Sequence, residues 1–171
     1  MGLRRLLGIY GHRHQHRGWW VVSGVFRDLR RQDFNANDDT NGGELWTYDG
    51  SSAYMVTDIY TGTSGSAPSY LTTYSGNLYF EAHDGTHGAE LWAYNGSSAY
   101  MVTDINTGST GSWPSGTAYY PYRFLEVNGK LIFGANNGTD HYQAYVLDGS
   151  TVEMLGGSPI NTTGDFWPVP N

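Results

Sequence analysis

Carboxylates, imidazoles and exposed aromatics are the groups in this chain that could do chemistry. Glu44 and Glu90 recur with Asp58 and Asp104 at the same spacing. Two carboxylates flanking a sugar bond can serve glycoside hydrolysis, one as acid and one as base or nucleophile. His12, His14 and His16 alternate, so a strand would present all three on one face, and imidazole suits zinc, copper or nickel. Asn35 to Asp39 and His83-Asp84-Gly85 are Asp/Asn/Gly-rich, like part of a calcium loop. Trp113, Trp167, Tyr119, Tyr120 and Tyr122 lie in Gly/Pro/Ser-rich stretches, where an aromatic face can meet a sugar ring or a partner protein.

Most of these have a plainer reading. The Glu/Asp pairs repeat at equivalent sites, and a catalytic site normally breaks repeat symmetry, whereas a structural hydrogen bond follows it. The loops lack full calcium-loop spacing and a closing Glu, so turn chemistry accounts for them. Trp46, Trp92 and Tyr145 also recur, as core residues would. His87 and His141 stand alone near loops and read as surface polar residues. No phosphate loop, serine elbow or paired His-Glu zinc motif is present. The reading is therefore no catalytic residue, no cofactor and no metal. The five connector aromatics remain the candidate ligand contacts.

The elements that must position these residues are set by a repeat. Gly42 to Ile59 (GGELWTYDGSSAYMVTDI) returns as Gly88 to Ile105 (GAELWAYNGSSAYMVTDI), 46 residues later. The match reaches upstream to Phe34 and Phe80, and downstream to Ala67-Pro68 and Trp113-Pro114. A third, diverged copy aligns Leu131 to Thr139 with Leu78 to Thr86, and Gln143 to Ser150 with Glu90 to Ser97. Extra residues fall around Thr117 to Arg123, as a surface loop tolerates.

Within one unit the pattern predicts strands near Tyr70–Tyr74, Asn77–His83, Ala89–Tyr94 and Ala99–Ile105. Ser75-Gly76, Asp84-Gly85 and Asn95-Gly96 separate them and supply the positive φ of tight turns. Aromatics make up 15% of the chain and glycine numbers 24, which fits many short strands joined by turns. Strands such as LYFEA are apolar on both faces, so each sheet needs neighbours on both sides. The expected fold is all-β, with about three four-stranded antiparallel propeller-type blades forming a partial propeller. Repeats span about 34–69, 70–115 and 116–171. Propellers typically have roughly four to eight blades, so three call for the remaining blades of a longer chain or for self-association.

At Glu44-Leu45-Trp46-Thr47-Tyr48-Asp49-Gly50 the chain resembles the bacterial ELWxxDGT repeat family, with Ser51 in place of the final Thr. Glu90 to Gly96 keeps Glu-Leu-Trp but has Asn95 for Asp, and Gln143 to Gly149 keeps only Asp148-Gly149. The likeness covers about residues 34 to 171. It implies a large exported bacterial protein whose repeats form propellers, and it brings no catalytic residues to carry over.

Residues 1–33 lie outside the repeat and read as an irregular, non-native leader. With CGN for arginine and CTN for leucine, the codons of Met1 to Gly18 read one base later allow WVYDGSSAYMVTDINTG. That is the repeat again, in the order of Trp92 to Gly108. The leader is thus expected to be a frameshifted remnant of a preceding repeat, and its Arg and His content a coding accident rather than a metal site. The source DNA tests this directly: its shifted frame should spell the repeat, and any other sequence ends the idea.

Charge divides the chain at the same place. Seven of nine basic residues precede residue 32, and from Phe34 onward 14 acids face two bases, Arg123 and Lys130. Such a body repels nucleic acid. No run approaches the roughly 18 apolar residues of a membrane span. There is no cysteine, which excludes disulfide scaffolds and cysteine-held metals. A signal peptide is not visible, and a frameshift would hide one.

The expected function is a non-enzymatic module at the cell surface or outside the cell, for adhesion, scaffolding or protein binding. Its partners would be a surface protein or a glycan. A carbohydrate-binding, lectin-like propeller is the alternative, and a propeller-type hydrolase fragment the remote one.

Overall fold

The computed structural model describes the backbone of residues 20–26 and residues 32–114, 124–139 and 142–155 in full. Tyr119, Tyr120, Tyr122, Trp167 and the three leader histidines lie outside the described residues. No helix occurs among those described, and none is long and apolar enough to cross a membrane.

Among the described residues, twelve strands form three four-stranded antiparallel sheets, none closed on itself. The first contains β1 (Trp20–Phe26), β2 (Gln32–Asn37), β3 (Gly43–Tyr48) and β4 (Ala53–Thr57). The second contains β5 (Ser69–Tyr74), β6 (Asn77–His83), β7 (Ala89–Tyr94) and β8 (Ala99–Thr103). The third contains β9 (Leu125–Val127), β10 (Lys130–Asn136), β11 (Tyr142–Asp148) and β12 (Thr151–Met154). Each sheet is a meander in sequence order.

Local chemistry explains the turns. Ser75-Gly76 and Asn128-Gly129 each put two consecutive residues at positive φ, 47° and 82°, then 51° and 72°. That is the two-residue hairpin whose twist matches the strands it joins. Asp49 and Asn95 close the β3–β4 and β7–β8 hairpins. Asn95 Oδ1 accepts the Ser97 and Ser98 N–H groups, and Asp49 Oδ1 does the same for Ser51 and Ser52.

The strands fall close to where the repeat predicts them, with two differences. The fourth strand of the second sheet ends at Thr103 rather than Ile105, because the Ile105 N–H turns away to the Glu90 carboxylate. The leader is not irregular throughout: β1 lies within it and pairs antiparallel with β2, with a bulge between Val21 and Gly24. The physical reason is that the repeat supplies β2 to β4 but no first strand for that sheet. The Val-Val-Ser-Gly-Val-Phe run has the β-branched and aromatic composition to fill the open edge of β2.

The sheets stack front to back, with repeat-equivalent residues at both joints. Leu45, Val56 and Ile59 of the first unit pack with Leu78, Phe80, Ala82, Trp92 and Tyr94 of the second. Their counterparts Leu91, Val102 and Ile105 pack with Leu131, Phe133, Ala135, Tyr145 and Leu147 of the third. The recurrent Trp92 and Tyr145 thus belong to the stacked interior, as the repeat implied.

A meander fixes which loops share an end. The hairpins from first to second and from third to fourth strand lie at one end of each sheet. The second-to-third-strand loops and the connectors between sheets lie at the other. Among the described residues, that second end, the connector end, holds Glu44, Glu90 and Trp113.

Candidate functional site

Glu44 on β3 and Glu90 on β7 sit at the connector end and are completely buried. Each points into the connector that leaves its own sheet. Glu44 accepts the Ile59 N–H at 3.1 Å, the Tyr60 N–H at 3.2 Å, the Ser66 N–H at 2.7 Å and the Ser66 hydroxyl at 2.5 Å. Glu90 repeats the set with Ile105 (3.1 Å), Asn106 (3.3 Å), the Ser112 N–H (2.8 Å) and the Ser112 hydroxyl (2.5 Å). Burial pushes both carboxyls above their ordinary value, against the opposing pull of these donors.

The serines then pass the connection to the next sheet. Ser66 O accepts the N–H of His83 at the end of β6, and Ser112 O accepts that of Asn136 at the end of β10. Asn35 adds a side-chain bond from its Nδ2 to Pro68 O. One carboxylate therefore grips both ends of a connector, and the gripped serine holds the following sheet. In the third unit the equivalent position is Gln143, also buried. The serines are functional to the fold in a way the sequence reading missed. The signal was the Gly-Ser pair repeated at Gly65-Ser66 and Gly111-Ser112.

This arrangement leaves the recurrent glutamates nothing to offer a substrate. Both oxygens of each are occupied by donors from the chain and shielded from solvent. No hydrogen bond joins Glu44 to Asp58 or Glu90 to Asp104, whose Oδ1 atoms are buried without a partner.

The Asp/Asn-rich loops prove to be self-contained turns. Asp38 Oδ1 accepts the Thr40 and Asn41 N–H groups, and Asp84 Oδ1 accepts those of Thr86 and His87. Backbone N–H groups of Asn41 and Thr40 hold Asp38 below the usual carboxylate value. His87 is not isolated: its Nδ1 lies 2.7 Å from Asp84 Oδ2, and the hydrogen bond raises the imidazole's pKa. His141 lies outside the described residues. Among the described residues no three His, Cys, Asp or Glu side chains are placed to hold a metal.

Beside these loops, Tyr60 reaches from the first unit onto the second. Its ring meets His83 edge-on at 5.1 Å and lies over Gly85, where an added Cβ would be 2.6 Å from the ring. Asn106 takes the same place one unit on, with its Oδ1 against Gly138.

Of the five candidate aromatics, the structure describes Trp113. It follows Ser112 at the connector end, in the left-handed region at φ 51°, and 44% of its surface is exposed. Its backbone N–H is bonded to Ala89 O and its indole N–H to Thr110 O at 3.0 Å. Both the backbone and the indole N–H of Trp113 are thus hydrogen-bonded while much of the residue is exposed. The corresponding residue one unit earlier is Ala67, with φ 50°.

Comparison with protein-family profiles finds no match for the chain. Comparison with curated proteins also finds none.

Proposed function

We propose that this chain is a non-catalytic binding or scaffolding module of propeller type that works at the cell surface or outside the cell. The hydrogen-bonded, exposed Trp113 at the connector end carries this reading. An exposed aromatic side chain already held by hydrogen bonds has less conformational freedom to lose on binding, the property of an interface anchor.

Three further points support it. The recurrent carboxylates are spent on the fold rather than left for chemistry. The connector end also carries the second-to-third-strand loops, a broad rim of turns beside Trp113. The resemblance to ELWxxDGT repeats favours an exported protein. The propeller arrangement is supported by front-to-back stacking and by the approach of the two first strands, β1 and β5.

A glycan is the alternative ligand. An indole whose N–H is already bonded offers chiefly its face, which suits the C–H surface of a sugar ring.

The test is a glycan array and a panel of cell-surface proteins probed with the full chain and with Trp113→Ala. Trp113→Ala is expected to cost about 2 kcal/mol of binding, roughly 30-fold in Kd. Binding that is unchanged by this substitution removes Trp113 as the anchor. Turnover of a glycan that is lost when one acidic residue is changed, in a variant that still folds, would instead revive the hydrolase reading.

A further inference from the structure

Asn-Gly pairs occur at Asn41, Asn95, Asn128 and Asn137. Such a pair can react with itself, because glycine has no Cβ to block the approach of its nitrogen to the preceding carboxamide. The four stand in different surroundings, and those surroundings separate them.

Asn95 is exposed, as are Ser97 and Ser98 in the same β7–β8 hairpin. Its Oδ1 accepts the Ser97 N–H at 2.9 Å and the Ser98 N–H at 3.0 Å. The first bond folds the carboxamide back along the chain, toward the peptide that carries the Gly96 nitrogen. Together the two donors sit where negative charge gathers when Cγ is attacked. The other pairs are held differently. Asn41 Nδ2 donates to Asp38 Oδ2 at 2.7 Å, and Gly42 is buried against the backbone of Ser64 and Gly65. Asn128 is left-handed, at φ 51°, in a tight turn whose Gly129 O accepts the Tyr74 hydroxyl at 2.6 Å. Gly138 packs under Asn106, where an added Cβ would lie 2.6 Å from Oδ1.

The first repeat shows that an acid fits the Asn95 position. Asp49-Gly50 stands there, with φ 99° at Gly50 against 97° at Gly96. Asp49 Oδ1 accepts the Ser51 and Ser52 N–H groups at 2.8 and 2.9 Å, the same pair of bonds.

We propose that Asn95 is a self-modification site, converted to aspartate through a cyclic imide with Gly96. The Gly96 nitrogen bonds to Asn95 Cγ as the Cγ–Nδ2 bond breaks. The Gly96 proton leaves with Nδ2 as ammonia. Water then opens the imide. Opening at Cγ gives aspartate, which keeps the turn of Asp49 and adds one negative charge to a chain already at -7. Opening at the main-chain carbonyl gives isoaspartate, which routes the backbone through Cβ and Cγ and misaligns the hairpin.

The experiment ages the full chain at neutral and at alkaline pH and reads each Asn-Gly peptide by mass spectrometry for the mass gain of amide-to-acid conversion. In the folded chain Asn95 is expected to convert about tenfold faster than each of the other three, less than a donor gives in an enzyme site because this turn is open to water. Alkali should speed it, because the attacking nitrogen must lose its proton. In urea, where the turn is gone, the four rates should converge. Asn95→Asp should keep the wild-type circular dichroism spectrum, and its peptide should co-elute with the aspartate product of the aged wild type. Conversion led by another pair in the folded chain, or equal rates at all four, overturns the proposal. The same ranking in urea also overturns it, because the cause would then lie in sequence and not in the turn. An Asn95→Asp chain that unfolds does so too, since the product would not fit.

Discussion

Gly111→Ala should abolish stable folding, whereas Gly108→Ala, three residues away in the same connector, should only weaken it. Both glycines have positive φ, 74° at Gly111 and 103° at Gly108, so alanine is strained at either place. That strain is worth about 1–2 kcal/mol. The surroundings separate them. A Cβ on Gly108 would meet nothing within 4 Å. A Cβ on Gly111 would lie 2.2 Å from Ala89 N and 2.8 Å from Ala89 O, atoms of the strand that also binds Ser112 and Trp113. Backbone cannot swing aside as a side-chain tip can. The connector must lift off β7, which disengages the Glu90 grip. The combined loss should exceed about 4 kcal/mol, within the tail reserved for broken cores and networks. Urea unfolding checks this, with the midpoints read at constant m value. Equal midpoints for the two variants would mean that the close approach of Gly88 and Gly111 does not limit the fold.

Removing the gripping carboxylate should rank next. Glu90→Ala leaves the Asn106 N–H, the Ser112 hydroxyl and the Ile105 N–H without their acceptor, while the Ser112 N–H keeps only Ala89 O. An unsatisfied buried donor costs about 1–3 kcal/mol, and relaxation recovers part, so a total of about 3–5 kcal/mol is expected. Glu90→Gln keeps one acceptor oxygen and should lose much less. The third unit already uses Gln143 at this place. The two variants also differ from the wild type in pH dependence. The folded carboxyl titrates above its unfolded value of 4.5 because burial disfavours the charge. The unfolded chain therefore releases this proton at lower pH than the folded chain does. The stability this group contributes is full below pH 4.5 and is lost as pH rises through the raised folded value. Subtracting the Glu90→Gln stability curve from that of the wild type should expose a decline in that direction. A difference that grows as pH rises would mean that the donors, not burial, dominate the site.

The sequence by itself determined the all-β class, the strand positions and the pairing order within the repeated units. The physical reason is that these are local matters. Asn95-Gly96 and Ser75-Gly76 dictate their turns through backbone sterics alone, and a 46-residue recurrence repeats whatever the first copy forms. It also indicated that Glu44 and Glu90 serve structure, since symmetric placement follows the fold. What it did not contain was their partners. Ser66 and Ser112 lie far along the chain, across a connector whose path is decided only when two sheets stack. The same holds for the inclusion of Trp20–Phe26 as a strand, which depends on the open edge of β2 rather than on membership of the repeat. Recurrence already set Trp92 apart from Trp113, and the tertiary structure supplied the partners: Trp92 packs at the joint between the first two sheets while Trp113 stays exposed. Trp92 lies within β7 and Trp113 in a connector. The difference is that the Trp92 side chain points toward a neighbouring sheet, whereas Trp113 is bonded to its own connector at the rim.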